Sequence, residues 1–393
     1  MKHRFLSKRY WNNISTAMGD SSGLLSKYDD VINFSLGDPD VTTDMRIITA
    51  AFNDAIKGHT HYTDFYGDQE LREEICRFYG SEYNYDVAID SCMITTSGCH
   101  AMWLALEAIL DDGDEVIIHE PCFTPYQQQI RLARGIPIPL ETYEEEEFQI
   151  NPDRLKKLIS NRTKAIIINT PNNPTGTCFR RKTLEEIVKI AKTYDLIIIA
   201  DDIYTLFSYS EPFIPITTIE DMQERTITIG SFSKNYAMTG WRIGYMLAPE
   251  FIIKIVKDIN ENNVFTAPSI SQRAALYALK NRQDIQNSIL EEYKKRIMYA
   301  YERINKIRNM SVLYPRGSIY LFVNIKKTGL SSEEVAKVMF EKAHVLVLPG
   351  NVFGACGEGY IRIAITVGID KQEEAFNRIE NMSIFKKEKQ INI

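Results

Sequence analysis

Ser231-Phe232-Ser233-Lys234-Asn235-Tyr236-Ala237-Met238-Thr239-Gly240-Trp241-Arg242-Ile243-Gly244-Tyr245 follows directly on the β-branched, apolar run Thr226 to Ile229, which reads as a buried strand. Burial at a strand end disfavours a lysine's charge and lowers its pKa. That is the condition an amine nucleophile needs to form a Schiff base. Arg242 places a permanent charge eight positions beyond Lys234, and glycines on either side let the backbone turn closely. Ser231 and Ser233 add hydroxyls suited to an anion. The plain alternative is a strand end with a solvated lysine and a structural arginine.

Outward from this stretch the same design recurs. Upstream, the apolar strand Leu196 to Ala200 closes on Asp201-Asp202-Ile203-Tyr204. A carboxylate there needs a positive partner, or else it caps a helix; Asp202 is expected on the surface side. Lys164 to Asn169 reads as a buried strand ending at Thr170-Pro171-Asn172-Asn173-Pro174-Thr175-Gly176, a loop on the rim where open α/β sheets place ligands. Strand Glu115 to His119 is followed by Pro121-Cys122-Phe123-Thr124-Pro125-Tyr126. Met93 to Thr96, then Ser97-Gly98-Cys99-His100 and a helix from Ala101 to Leu110, make a strand–turn–helix whose N-terminus can hold an anion. Further out, Tyr62 stands five residues before Gly67 and a helix beginning near Gln69. Val31 to Leu36 is a short strand candidate broken by Gly37-Asp38-Pro39-Asp40. Downstream, Gly359-Tyr360-Ile361-Arg362-Ile363-Ala364 sets an arginine inside an apolar strand, where it needs an anion: a ligand carboxylate, or a structural salt bridge.

In this order, these stretches resemble the class I/II aminotransferases, pyridoxal-phosphate (PLP) enzymes of fold type I. The resemblance covers almost the whole chain, from Gly37 to Arg362. It implies that Lys234 is the Schiff-base lysine and general base, with Asp201 on the ring nitrogen and Tyr204 and Asn173 on the phenolic oxygen. Phe123 would stack on the ring. Ser97, Gly98, Cys99, His100, Ser231, Ser233 and Arg242 would surround the phosphate, joined by Tyr62 from the neighbouring subunit of a homodimer. Gly37, Asn173 and Arg362 would border the substrate, with Arg362 on its α-carboxylate. His100 departs from the small residue, asparagine or lysine of many relatives. The implied activity moves an amino group between an L-amino acid and a 2-oxo acid by a ping-pong mechanism, with aspartate or an aromatic amino acid as candidate donor. The alternatives are a PLP-dependent C–S β-lyase and an ACC synthase-like enzyme. Phe34-Ser35-Leu36-Gly37-Asp38-Pro39-Asp40 lacks the tryptophan-containing pattern usual in the lyases.

A chain of 393 residues suits two domains. The resemblance places a large cofactor domain over residues 39–280, with a mostly parallel seven-stranded sheet flanked by helices. A smaller α/β domain would comprise 1–38 and 281–393. Arg282 to Arg308 carries a long amphipathic helix, and residues 1–30 read as an arm with a short helix. A net charge of −6 with scattered Lys and Arg gives no nucleic-acid footprint. Six cysteines without a C-x-x-C pair read as thiols rather than a disulfide framework, and the histidines lack metal spacing. Neither a signal peptide nor an apolar run of the ~20 residues a membrane helix needs is evident, so a cytoplasmic location is expected. The acidic run Tyr143-Glu144-Glu145-Glu146-Glu147 reads as a solvated loop.

Overall fold

The computed structural model describes residues 3–11, 19 and 22–386. Its first strand, β1 (Ile32–Asn33), stands apart from the next seven: β2 (Cys92–Thr95), β3 (Glu115–Glu120), β4 (Ile136–Glu141), β5 (Thr163–Asn169), β6 (Ile197–Asp201), β7 (Thr226–Ser231) and β8 (Gly244–Leu247). Those seven form one sheet in the order β2-β8-β7-β6-β5-β3-β4. All neighbours run parallel except β8, which is antiparallel to both β2 and β7. The expected mostly parallel seven-stranded sheet is therefore present.

Helices α1 (Met45–Ile56), α2 (Gln69–Tyr83), α3 (Gly98–Ile109), α4 (Pro125–Leu132), α5 (Pro152–Leu158), α6 (Arg181–Thr193), α7 (Glu250–Glu261) and α8 (Ser269–Lys280) flank the sheet. Strand β5 shows why both faces must be covered. Successive side chains point to opposite sides. Ala165 and Ile167 pack with Leu104, Ala105 and Val256 of α3 and α7. Ile166 and Ile168 pack with Leu184, Ile187 and Val188 of α6. Truncating such a residue, as in Ile167→Ala, would cost about 2–5 kcal/mol.

The remaining elements are α9 (Arg282–Ile304), β9 (Tyr320–Asn324), α10 (Ser332–Ala343), β10 (Val345–Leu346), β11 (Leu348–Pro349), β12 (Tyr360–Ala364) and α11 (Ile369–Glu380). They build an antiparallel sheet, β11-β12-β9, and a parallel pair, β1-β10. Phe34, Tyr293, Ile297, Val323, Ile363 and Phe376 share the core beneath them. Ser331 and Glu334 form a capping box that starts α10 by satisfying its first amides.

Three sequence readings change. The strand expected over Val31 to Leu36 narrows to β1, because the carbonyls beyond it serve side chains: Ser35 O accepts from Arg362, and Leu36 O accepts from Thr366 at 3.0 Å. The apolar run Val345 to Gly350, which reads from sequence as one strand, divides, Val345 and Leu346 pairing with β1 and Leu348 and Pro349 with β12. The acidic run is not merely solvated. Glu144 accepts from the Tyr360 hydroxyl at 3.0 Å and from the Asn324 amide, while Glu147 pairs with Arg180 and Arg316 at 2.6 and 3.3 Å. The short helix expected within residues 1–30 falls partly outside the described residues; turns of 3-10 helix lie at Lys8–Tyr10 and Ser22–Leu24.

Candidate active site

Three adjacent parallel strands end on one rim. Asn169 closes β5, Asp201 closes β6 and Ser231 closes β7, with Asn169 opposite Asp201 in register. Loops leaving that rim line a cavity of about 200 Å³. Ser97, Gly98, Cys99, Phe123, Asp201, Ser231, Ser233, Lys234 and Arg242 all contribute to its wall. Nine of the residues singled out by sequence thus meet around one space.

In its wall, Ser97 is the N-cap of α3 and its hydroxyl accepts from the His100 amide at 3.1 Å. The amides of Gly98 and Cys99 belong to the same first turn, which has no intrahelical acceptor for them. His100 contributes neither its engaged amide nor its ring to the wall. Its ring stacks on Trp103 with both nitrogens buried and unpartnered, and burial lowers its pKa to about 4. Gly244 of β8 lies so close to the turn that a Cβ there would come 2.7 Å from the Gly98 nitrogen. Ala237 and Arg242, on either side of the lysine turn's end, both adopt left-handed backbone conformations, with φ of 52° and 53°. Such strain in residues other than glycine concentrates at functional sites. The exposed Arg242 donates to the Thr239 carbonyl at 2.7 Å.

Opposite stands Asp201, 5 % exposed. Its Oδ2 accepts from the buried Tyr126 hydroxyl, while Oδ1 has no partner. Burial raises the carboxyl's pKa to about 6, opposed by the Tyr126 hydrogen bond. Phe123 meets Tyr126 edge to face at 5.5 Å. Asp202, expected on the surface side, is instead buried with Oδ2 unpartnered, and its pKa is raised by burial and then by the Asp201 charge. Two consecutive carboxyls thus close one strand inside the protein.

The Lys234 amine donates to the Gly37 carbonyl, and desolvation lowers its pKa. A methyl on Gly37 would overlap the Tyr320 hydroxyl. That hydroxyl lies 3.1 Å from the hydroxyl of buried Tyr204. The Tyr320 ring in turn lies 4.4 Å from the Arg362 guanidinium, with Phe353 at 4.8 Å. Arg362 is fully buried. Its guanidinium donates to Asn173 Oδ1 at 3.0 Å and to the Ser35 carbonyl; its Nε has no partner. No carboxylate among the described residues pairs with it, so the salt-bridge alternative is not found. A buried guanidinium without an anion is costly, and a ligand carboxylate removes that cost.

Tyr126 and Tyr320 carried no role in the sequence reading. Their partners lie 75 and 116 positions away, beyond any local signal. Tyr62 is the predicted residue that the fold leaves outside: it is 79 % exposed and packs edgewise on Phe265 at 4.8 Å.

Residues 29–379 match the family described as Aminotransferase class I and II. The chain belongs to that family. It is 38 % identical over 357 residues to an aspartate aminotransferase of Pyrococcus abyssi, covering 90 % of this chain and 92 % of that one. Aromatic-amino-acid aminotransferase 2 of Thermococcus litoralis is 37 % identical over 356 residues, with coverage of 90 % and 91 %. The crystal structure of an aromatic aminotransferase from Pyrococcus horikoshii OT3 superposes with a TM-score of 0.87 at 37 % identity, covering 91 % of this chain and 97 % of that one. Aminotransferases of this family are generally PLP-dependent. The residues present fit such a group. The orphaned Asp201 Oδ1 offers an acceptor to a protonated ring nitrogen, Phe123 offers an aromatic wall, and the first turn of α3 offers amides to a phosphate.

Proposed function

We propose that this aminotransferase uses PLP to move the amino group of an L-amino acid to a 2-oxo acid, by a ping-pong route. The observation that carries the reading is a pair of buried, uncompensated ionisable groups with a desolvated amine near both. Asp201 has a free Oδ1 and lines the same cavity as Lys234; the Lys234 amine has a depressed pKa and feels the Arg362 charge, and Arg362 lacks an anion. When bound, PLP supplies an aldehyde that condenses with primary amines and a pyridinium ring that accepts an electron pair from the donor's α-carbon.

The chain does the rest. Asp201 holds the ring-nitrogen proton, and Tyr126 keeps that carboxylate oriented. Tyr204 and Asn173 donate to the phenolic oxygen, and Phe123 covers the ring. Ser97, Gly98, Cys99, Ser231, Ser233 and Arg242 hold the phosphate; His100 stands beside them, its amide given to Ser97. Arg362 grips the donor's α-carboxylate against Gly37 and Asn173. Lys234 Nζ, its pKa lowered chiefly by desolvation, takes the α-proton as general base. Aspartate or an aromatic amino acid is the candidate donor, in keeping with the names of the relatives. The reading includes a cytoplasmic homodimer, with exposed Tyr62 reaching the partner's phosphate site. It also divides the chain into a cofactor domain at 39–280 and a smaller domain of 1–38 and 281–393.

A panel of amino donors offered with 2-oxoglutarate and pyruvate tests the activity. Loss of the lysine-bound cofactor's absorbance on adding donor, and its return on adding oxo acid, is the expected result. Pyruvate release from cysteine or cystathionine without amino transfer would favour the C–S lyase instead.

A further inference from the structure

Tyr320 touches three parts of the site yet belongs to the smaller sheet. Its hydroxyl meets the Tyr204 hydroxyl at 3.1 Å. It also fills the space that any side chain on Gly37 would take, and the Gly37 carbonyl holds the Lys234 amine. Its ring forms one face of the guanidinium slot, 4.4 Å from Arg362. Strand β9 pairs with β12 so that Phe322 faces Arg362 in register and Tyr320 faces Ala364 two places along, on the same side of the sheet.

We propose that Tyr320 is a positioning residue that couples the carboxylate clamp to the cofactor's phenolic pole, its hydroxyl aiming the Tyr204 proton and its ring holding the Arg362 guanidinium flat. The proposal rests on the PLP reading for its first half and on the arginine alone for its second. A phenol bonded to another phenol can donate outward only if its neighbour donates to it. Tyr320 O–H donating to Tyr204 Oη therefore leaves the Tyr204 proton free for the phenolic oxygen. Such a chain also strengthens the outer donor. The ring face attracts the guanidinium and keeps it in one plane, ready for a two-oxygen carboxylate contact.

The two halves separate by substitution. Tyr320→Phe keeps the ring and removes the hydroxyl. A weaker donor leaves the phenolic oxygen richer in electrons, which holds the neighbouring nitrogen's proton to higher pH. The pH midpoint of the lysine-bound cofactor's absorbance should then rise by about half to one unit, with kcat down about 3–10-fold and KM for the donor within about twofold. Gly37→Ala displaces the hydroxyl without deleting it and should raise the midpoint in the same direction. Tyr320→Leu also removes the aromatic face. It should raise KM about 5–30-fold and weaken 3-phenylpropanoate binding to cofactor-free protein, read by calorimetry, by the same factor. A wild-type midpoint in Tyr320→Phe, or wild-type 3-phenylpropanoate affinity in Tyr320→Leu, overturns the proposal. Lower unfolding temperatures with midpoint and affinity unchanged also overturn it, as the mark of a merely structural residue. Should the wild-type protein show no titrating absorbance with PLP, the cofactor reading fails, and the calorimetry alone decides the role of the ring.

Discussion

Asp201→Asn should stabilise the cofactor-free protein at neutral pH and leave it nearly unchanged in acid. Burial raises the Asp201 pKa from 3.8 to about 6. A carboxyl with a raised folded-state pKa keeps its proton longer in the native state than in the unfolded chain. Stability is therefore full below the unfolded value, and falls as pH rises through 3.8 to about 6. At about 1.36 kcal/mol per unit the loss reaches about 3 kcal/mol by pH 7. Asparagine keeps the shape and does not ionise. Its Nδ2 would face the Tyr126 hydroxyl, an acceptable partner in either orientation. Urea unfolding of cofactor-free wild-type and variant protein at pH 4 and pH 7.5 gives the double difference directly, with titrating groups that do not feel Asp201 cancelling. Asp202 shares the strand end and is raised in part by the Asp201 charge, so the two titrate as a pair, and Asp202→Asn should recover part of the same difference. With PLP loaded the sign should reverse, because a ring-nitrogen proton beside Oδ1 stabilises the ionised wild-type carboxylate. A double difference that is flat in pH would show that Asp201 is not desolvated, and the electrostatic argument for the ring-nitrogen partner would fall with it.

Lys234→Ala should abolish amino transfer, and borohydride treatment with PLP should leave no mass addition on residue 234; normal turnover would refute the assignment. Arg362→Leu should lower kcat/KM for the amino donor by about 10²–10³, mostly through KM, because it removes the buried charge proposed to hold the α-carboxylate. Glu144→Ala deprives the Tyr360 hydroxyl and the Asn324 amide of their acceptor and should cost about 1–3 kcal/mol in urea unfolding. An unchanged midpoint there would return the acidic run to the role of a solvated loop.

The strands that end at the cavity were the easiest to read, because β5, β6 and β7 are buried on both faces and so nearly continuous in apolar residues. Strand β4 escaped because Pro137 and Pro139 argue against a strand. It lies at the sheet edge, bonded to β3 alone, where a residue without an N–H is tolerated. Helix α1 also went unread. Its apolar residues are divided between buried Ile47 and exposed Met45, Phe52 and Ile56, so no single inward stripe marks it. In the site, residues at strand ends and in glycine or proline turns declared themselves locally. Tyr126, Tyr320 and the burial of Asp202 did not, since each depends on what the far chain brings alongside.

Arg362 donates to the carbonyl of Ser35, 327 positions earlier in the chain. A ribosome makes these two ends far apart in time. Once the segment through β8 has emerged, every wall of the 200 Å³ cavity exists, lysine included. The receptor for the amino acid does not exist until β12 is made and closes against Phe34. The residues that wall the lysine's cavity are thus all made ahead of the strand that carries the arginine, and on the PLP reading the cofactor's pocket precedes the substrate's clamp in the order of synthesis.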